Sequence, residues 1–233
     1  MRVTSLILVG AFALTAANLS AASNRQDSID RLQMASDTLT AMIGTPDKGI
    51  PEEVLSNAKC IVVVPHLVKG GFVIGAEHGR GVATCRTPEG WSSPAFVSLG
   101  GGSWGLQIGV EGVDLVMLVM NDNGLQHMLS SKFKVGADAS ASAGPVGRHA
   151  SAGTDWKMDS ELLTYSRSKG VFAGISLDGA VLEQDKDSTR AIYGHDTSFR
   201  STLNGQVHAP RTTLAFIKAI TDAAHTSAVA DAK

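Results

Sequence analysis

Five cationic side chains in this 233-residue sequence stand beside or within three positions of a glycine: Lys69, Arg80, Arg148, Arg167 and Lys169. Glycine turns leave backbone N–H groups facing concavities that hold anions, and a neighbouring guanidinium can grip a phosphate through two hydrogen bonds. These residues are therefore the candidate contacts to an anion. Arg167 and Lys169 flank Ser168 and, in an extended strand, point to one side. The competing reading is a solvated face, or ion pairs with carboxylates such as Asp138, Asp155 and Asp178.

A second chemistry is written in Gly101-Gly102-Ser103-Trp104-Gly105, which matches the Gly-x-Ser-x-Gly elbow of serine hydrolases. Asp114 and His195 would complete the order serine, acid, histidine. The elbow needs a helix after its serine, however, and the alternating Leu106-Gln107-Ile108-Gly109-Val110 reads as a strand. Histidines at 66, 78, 127, 149, 195, 208 and 225 show no His-x-His or His-Glu-x-x-His spacing, so no metal is expected. The glycines form neither a Walker loop nor a Gly-x-Gly-x-x-Gly opening a helix, so no nucleotide cofactor is expected either.

The elements that carry these residues are mostly strands. One stretch organises the reading: a strand over 170–177 turns at Asp178-Gly179 into a return strand from Ala180. An echo appears at Lys69-Gly70-Gly71-Phe72, with His78-Gly79 in the place of Asp178-Gly179, so residues 71–76 and 81–86 are expected to pair as a hairpin about His78-Gly79-Arg80. Separate strands follow at 95–99, 104–110 and 113–120. The last is almost continuously apolar and so fits a strand buried on both faces. Glycines within strands signal bends or close backbone approach, which implies a curved sheet. The Ala/Ser alternation over 137–144 implies a strand approached closely from one side.

Helices bracket the strands. Residues 28–43 put Ile29, Leu32, Ala35, Leu39, Met42 and Ile43 on one face, while Asp30, Arg31 and Asp37 lie opposite, so the face packs on the sheet. A short helix follows Pro51, another lies over 124–129 behind Asn121, and 212–223 closes the fold. Residues 183–187 read as an acidic loop, and the tail from Thr226 as frayed. The fold class is α+β, mainly an antiparallel curved sheet or barrel-like core with a few packed helices, in one domain.

Arg2, the apolar run 6–17 and Ser20-Ala21-Ala22 read as a signal peptide over 1–22, with processing before Ser23 and export to the periplasm or beyond. The run is too short for a comfortable membrane span. Without Arg2, 19 Lys and Arg face the 22 Asp and Glu, a net −3 that argues against nucleic acid as partner. Cys60 and Cys85 both survive processing; a disulfide and two buried free thiols both fit.

A set of ordered motifs completes the reading. These are Ile50-Pro51 with Ala58-Lys59, Pro65 with Lys69-Gly70-Gly71-Phe72, Gly101 through Gly109, and Asp138 with Ala143-Gly144-Pro145-Val146-Gly147-Arg148. Tyr165 through Gly174 and Tyr193-Gly194 follow. Over residues 50–216 the chain resembles the SYLF domain, a lipid-binding family of bacteria and eukaryotes. The resemblance implies a compact β-rich domain with helices packed against it and no enzymatic activity. Eukaryotic relatives bind phosphoinositides and other acidic lipids, and some act on actin. The expected function is binding of acidic phospholipid head groups through Lys69, Arg80, Arg148, Arg167 and Lys169. An adaptor for an envelope protein partner comes second, and a hydrolase using Ser103 third.

Overall fold

The computed structural model describes residues 4–45, 49–146, 160–168, 170–172 and 177–230. Two long strands, β1 (Cys60–Thr87) and β3 (Ala95–Val119), dominate it. They pair antiparallel from Cys60↔Val119 to Ala83↔Ala95, and β2 (Gly90–Trp91) pairs with the end of β1. The other edge of β3 is divided: β6 (Leu162–Ser168) pairs with residues 114–119, and β8 (Val181–Gln184) with 97–100. Short strands complete the sheet. β4 (Lys132–Lys134) lies on β8, β7 (Val171–Phe172) folds back on β6, and β5 (Ala141–Ala143) runs parallel to β6. The result is a curled mixed sheet in an α+β fold, as the sequence implies.

The expected hairpin at His78-Gly79-Arg80 does not form, and the strands expected separately at 95–99, 104–110 and 113–120 are parts of β3. The glycines serve another purpose. Gly79 and Gly81 lie in continuous strand, without the positive φ of the turn glycine Gly179, at +87°. β1 doubles across itself there. A Cβ on Gly79 would sit 2.6 Å from Val64 Cγ1, and one on Gly81 2.4 Å from the Val63 carbonyl oxygen. Only glycine lets the two halves of one strand approach so closely. A bulge between Val64 and Leu67 bends the strand, and the Arg86 N–H donates to the Lys59 carbonyl at 2.7 Å, so the ends of β1 meet. A disulfide between Cys60 and Cys85 fastens them and resolves the two thiol readings.

The 169–182 region also differs. The chain reverses after Ser168, with Gly170 at φ +80° and Ser168 opposite Val171. Asp178-Gly179 is a turn, but the strand after it joins β3 and β4 rather than β7. Residues 173–176 lie outside the described residues.

Alternation along the strands builds two cores. Val62, Val64, Val97, Leu99, Leu115 and Met117 point into the curl with Phe133, Phe199 and Leu203. Ile61, Val63, Phe96, Val116, Leu118 and Tyr165 point outward beneath the helices. Both faces of residues 113–119 are thereby covered, which is why they are almost continuously apolar. The helices over the outer face are α1 (Thr4–Ile43), α2 (Glu52–Asn57), α4 (Lys186–Tyr193) and α6 (Leu214–Ala230). α3 (Asp122–Met128) and α5 (Phe199–Leu203) lie with the inner core. Leu32, Ala35, Leu39 and Met42 form the buried stripe of α1, as the periodicity requires.

Some helix ends depart from the sequence reading. α1 is already helical before Ser28, whose hydroxyl donates back to the Asn24 carbonyl instead of capping. The expected acidic loop at 183–187 is the end of β8 and the start of α4: Asp185 accepts the Ser188 N–H at 3.0 Å as N-cap, and Gly194 ends the helix at φ +80°. α6 runs on to Ala230, past the expected start of the tail. Of the strand expected over 137–144, only Ala141–Ala143 is regular. Its close approach is real: a Cβ on Gly144 would fall 2.1 Å from the Tyr165 ring. No described helix is long and apolar enough to cross a membrane.

Candidate functional site

The self-crossing of β1 brings residues 65–68 against residues 78–80, and residues 27–34 of α1 lie over both. Between them is a groove of about 420 Å³ lined by Asp27, Asp30, Arg31 and Met34 from α1 and by Pro65, His66, Val68, His78, Gly79 and Arg80 from β1. It continues into a polar recess of about 500 Å³ walled by Ser23, Asn24, Asp27, Asp185, Asp187 and Ser188. Arg80 lines both. His78 and Arg80, two positions apart, are exposed on the same face of β1. His66 occupies the bulge at φ +50°, a left-handed conformation that histidine adopts more readily than most residues. Leu67 packs into the curl, while Val68 on the opposite side is 47% exposed and Met34 40%.

The two arginines of the groove differ in how they are held. Arg31 donates to Asp185 Oδ2 at 2.9 Å, is almost fully buried, and lies 5.5 Å from the centre of the Phe96 ring. Burial pulls its pKa down, and Asp185 works against that pull. Burial pushes the Asp185 carboxyl up, but hydrogen bonds from the Ser188 N–H and hydroxyl and from Arg31 outweigh it, so Asp185 sits below the usual carboxylate range. Arg31 is thus committed to joining α1 to α4. Arg80 has no hydrogen bond or ion pair for its side chain among the described residues, and its charge lies close enough to disfavour that of Arg31.

The other predicted contacts are not gathered here. Lys69 forms an ion pair with Glu77 at 3.0 Å, with side chains only 12% and 1% exposed, inside the curl. Arg167 donates to Asp114 Oδ2 at 3.3 Å, and the other oxygen of Asp114 accepts the His66 N–H at 3.3 Å. The carboxylate partners are thus Glu77 and Asp114 rather than those the sequence nominated. Arg148 and Lys169 lie outside the described residues. The common surface expected for Arg167 and Lys169 does not arise from one strand, because β6 ends at Ser168.

Ser103 is flanked by strand on both sides and pairs with Gly75, so no strand–turn–helix elbow forms around it. Among the described residues no group of three or more His, Cys, Asp and Glu side chains is placed to hold a metal ion. Sequence reasoning missed His66, His78, Met34 and Val68 as neighbours of Arg80. Their one signal, the Gly79/Gly81 pair, reads equally well as a turn.

Comparison with known proteins adds a second line. A family model described as "Ysc84: Las17-binding protein actin regulator" matches residues 100–223. An SH3 domain-containing protein of Schizosaccharomyces pombe is 36% identical over 165 residues, covering 69% of this chain and 38% of that protein. SH3 domain-containing YSC84-like protein 1 of Rattus norvegicus is 33% identical over 167 residues, covering 71% and 49%. Protein YSC84 of Saccharomyces cerevisiae is 32% identical over 168 residues, covering 70% and 36%. The chain therefore spans about half or less of the curated relatives it matches.

Proposed function

The chain belongs to the Ysc84 (SYLF) family, and on that premise we propose a non-enzymatic binding domain that engages acidic phospholipid head groups at a membrane surface. The observation that carries this reading is Arg80, an arginine without a partner among the described residues, in a groove whose lining includes the exposed apolar side chains Met34 and Val68. A guanidinium offers a phosphate two parallel donors, and apolar side chains beside it favour the boundary between head groups and acyl chains. Lys69 and Arg167 support the surface indirectly: their carboxylate partners hold the strands that frame it.

Export is part of the proposal. Processing near Ser23 would leave the groove intact, because its lining begins at Ser23, and the Cys60–Cys85 disulfide suits an oxidising compartment. Intact mass of the protein from a cell-envelope fraction tests this; a full-length mass refutes it.

The test of lipid binding is sedimentation with phosphatidylglycerol vesicles, neutral vesicles serving as control. Arg80→Ala, shown folded by circular dichroism, is expected to bind about fivefold more weakly, since one basic side chain near an anionic surface contributes about 1 kcal/mol. Wild type that ignores anionic vesicles would overturn the reading.

The family description favours a second reading, a protein partner. Head-group binding weakens steeply with salt, whereas an apolar protein interface does not.

A further inference from the structure

We infer that the groove is a proton-controlled anion site, in which His66 and His78 set its charge and restrict tight binding of an anionic lipid surface to mildly acidic conditions. This rests on the lipid reading above. The charges that face the groove come from two elements. From α1 come Asp27, Asp30 and Arg31, and from β1 come His66, His78 and Arg80. Arg31 is balanced by Asp185, and Asp114 by Arg167. Beyond Arg80 and its neighbour Ser98, the next residue across the sheet is Glu183, which pairs with Lys132 at 3.0 Å. Asp187, in the polar recess that Arg80 also lines, is balanced by Arg190 at 3.9 Å.

What remains is Arg80 against Asp27 and Asp30. With both imidazoles neutral, these charges sum to one net negative, and Arg80 is the lining cation without an ion pair among the described residues. Protonating both histidines reverses the sign to one net positive charge. Histidine is the side chain whose ordinary titration falls between pH 5 and 8. Both rings are accessible to solvent: the His66 side chain is 78% exposed and His78 is exposed on β1. Asp114 Oδ1 lies 3.9 Å from the His66 ring Nδ1. Anion affinity should thus rise as pH falls. The tight state is the doubly protonated one.

The experiment is sedimentation of the full chain with phosphatidylglycerol vesicles at pH 7.5 and pH 5.5, at fixed ionic strength. The phosphodiester of that lipid does not titrate in this range, so a pH effect belongs to the protein. Wild type is expected to bind roughly tenfold or more tightly at the lower pH, since each added charge near an anionic surface is worth about fivefold. The comparison variant is His66→Asn/His78→Gln; asparagine tolerates the left-handed backbone at position 66. A melt matching wild type shows that it is folded. Its ratio of affinities between pH 5.5 and pH 7.5 should fall close to one. Equal wild-type affinity at both pH values, or a full gain in the variant, overturns the inference and leaves the lipid reading standing. Absence of binding at both pH values overturns the two together.

Discussion

Replacing both Cys60 and Cys85 with alanine is expected to cost about 3–4 kcal/mol of stability. The disulfide joins residues 25 apart in sequence, at the two ends of a strand that doubles over itself. Cross-linking a loop of that length removes denatured-state entropy worth about 3.5 kcal/mol at 25 °C in the chain-entropy relation. Both sulfurs are fully buried, so truncating them also leaves small voids, which adds to the loss. The hydrogen bond from Arg86 to Lys59 survives the substitution and holds the ends only in the folded state. For a domain of this size each kcal/mol moves Tm by about 2–4 °C, so the midpoint should fall by about 7–14 °C. Urea unfolding followed by circular dichroism checks the value. The denaturant slope should rise in the variant, because its unfolded chain is less constrained and exposes more surface. Thiol titration supplies the independent arm: wild type denatured without reductant should show no free thiol, and two after reduction. Two free thiols in the unreduced protein, or a stability loss below about 1 kcal/mol, would refute the closed curl of β1.

Two further perturbations address the same architecture. Gly81→Ala places a Cβ 2.4 Å from the Val63 carbonyl, backbone against backbone, and should cost about 3 kcal/mol or prevent folding. Gly100→Ala meets nothing closer than 3.6 Å and should change stability by less than about 1 kcal/mol, so equal effects in thermal melts would sink the self-crossing. Asp185→Asn keeps a capping side chain but leaves Arg31 buried without its anion, a loss of about 3 kcal/mol near neutral pH. The folded pKa of Asp185 is depressed, so its contribution is complete above the ordinary carboxylate pKa and disappears as pH falls through the lower folded value. The gap between wild type and variant should therefore narrow below about pH 4; a constant gap in melts across that range contradicts the assignment.

Much of the architecture was legible because it is periodic. The apolar run over 113–120 requires a strand covered on both faces, and the spacing of Leu32, Ala35, Leu39 and Met42 requires a helix packed on one side. The ordered glycine and aromatic motifs were enough to suggest the family. Glycine, however, is the same letter in a turn and in an extended strand crossed by another backbone. At positions 79 and 81 the choice depended on Val63, Val64 and Leu67, more than ten residues away. The same limit applied to charge. Pairing of Lys69 with Glu77 and of Arg167 with Asp114 follows from how strands curl and align, which no local spacing encodes. Arg80 looked like its four companions in the sequence. Only the folding of β1 over itself, beneath α1, left it unpaired among the described residues, in a groove shared with two histidines, because the carboxylates that neutralise a cation are chosen by tertiary contact.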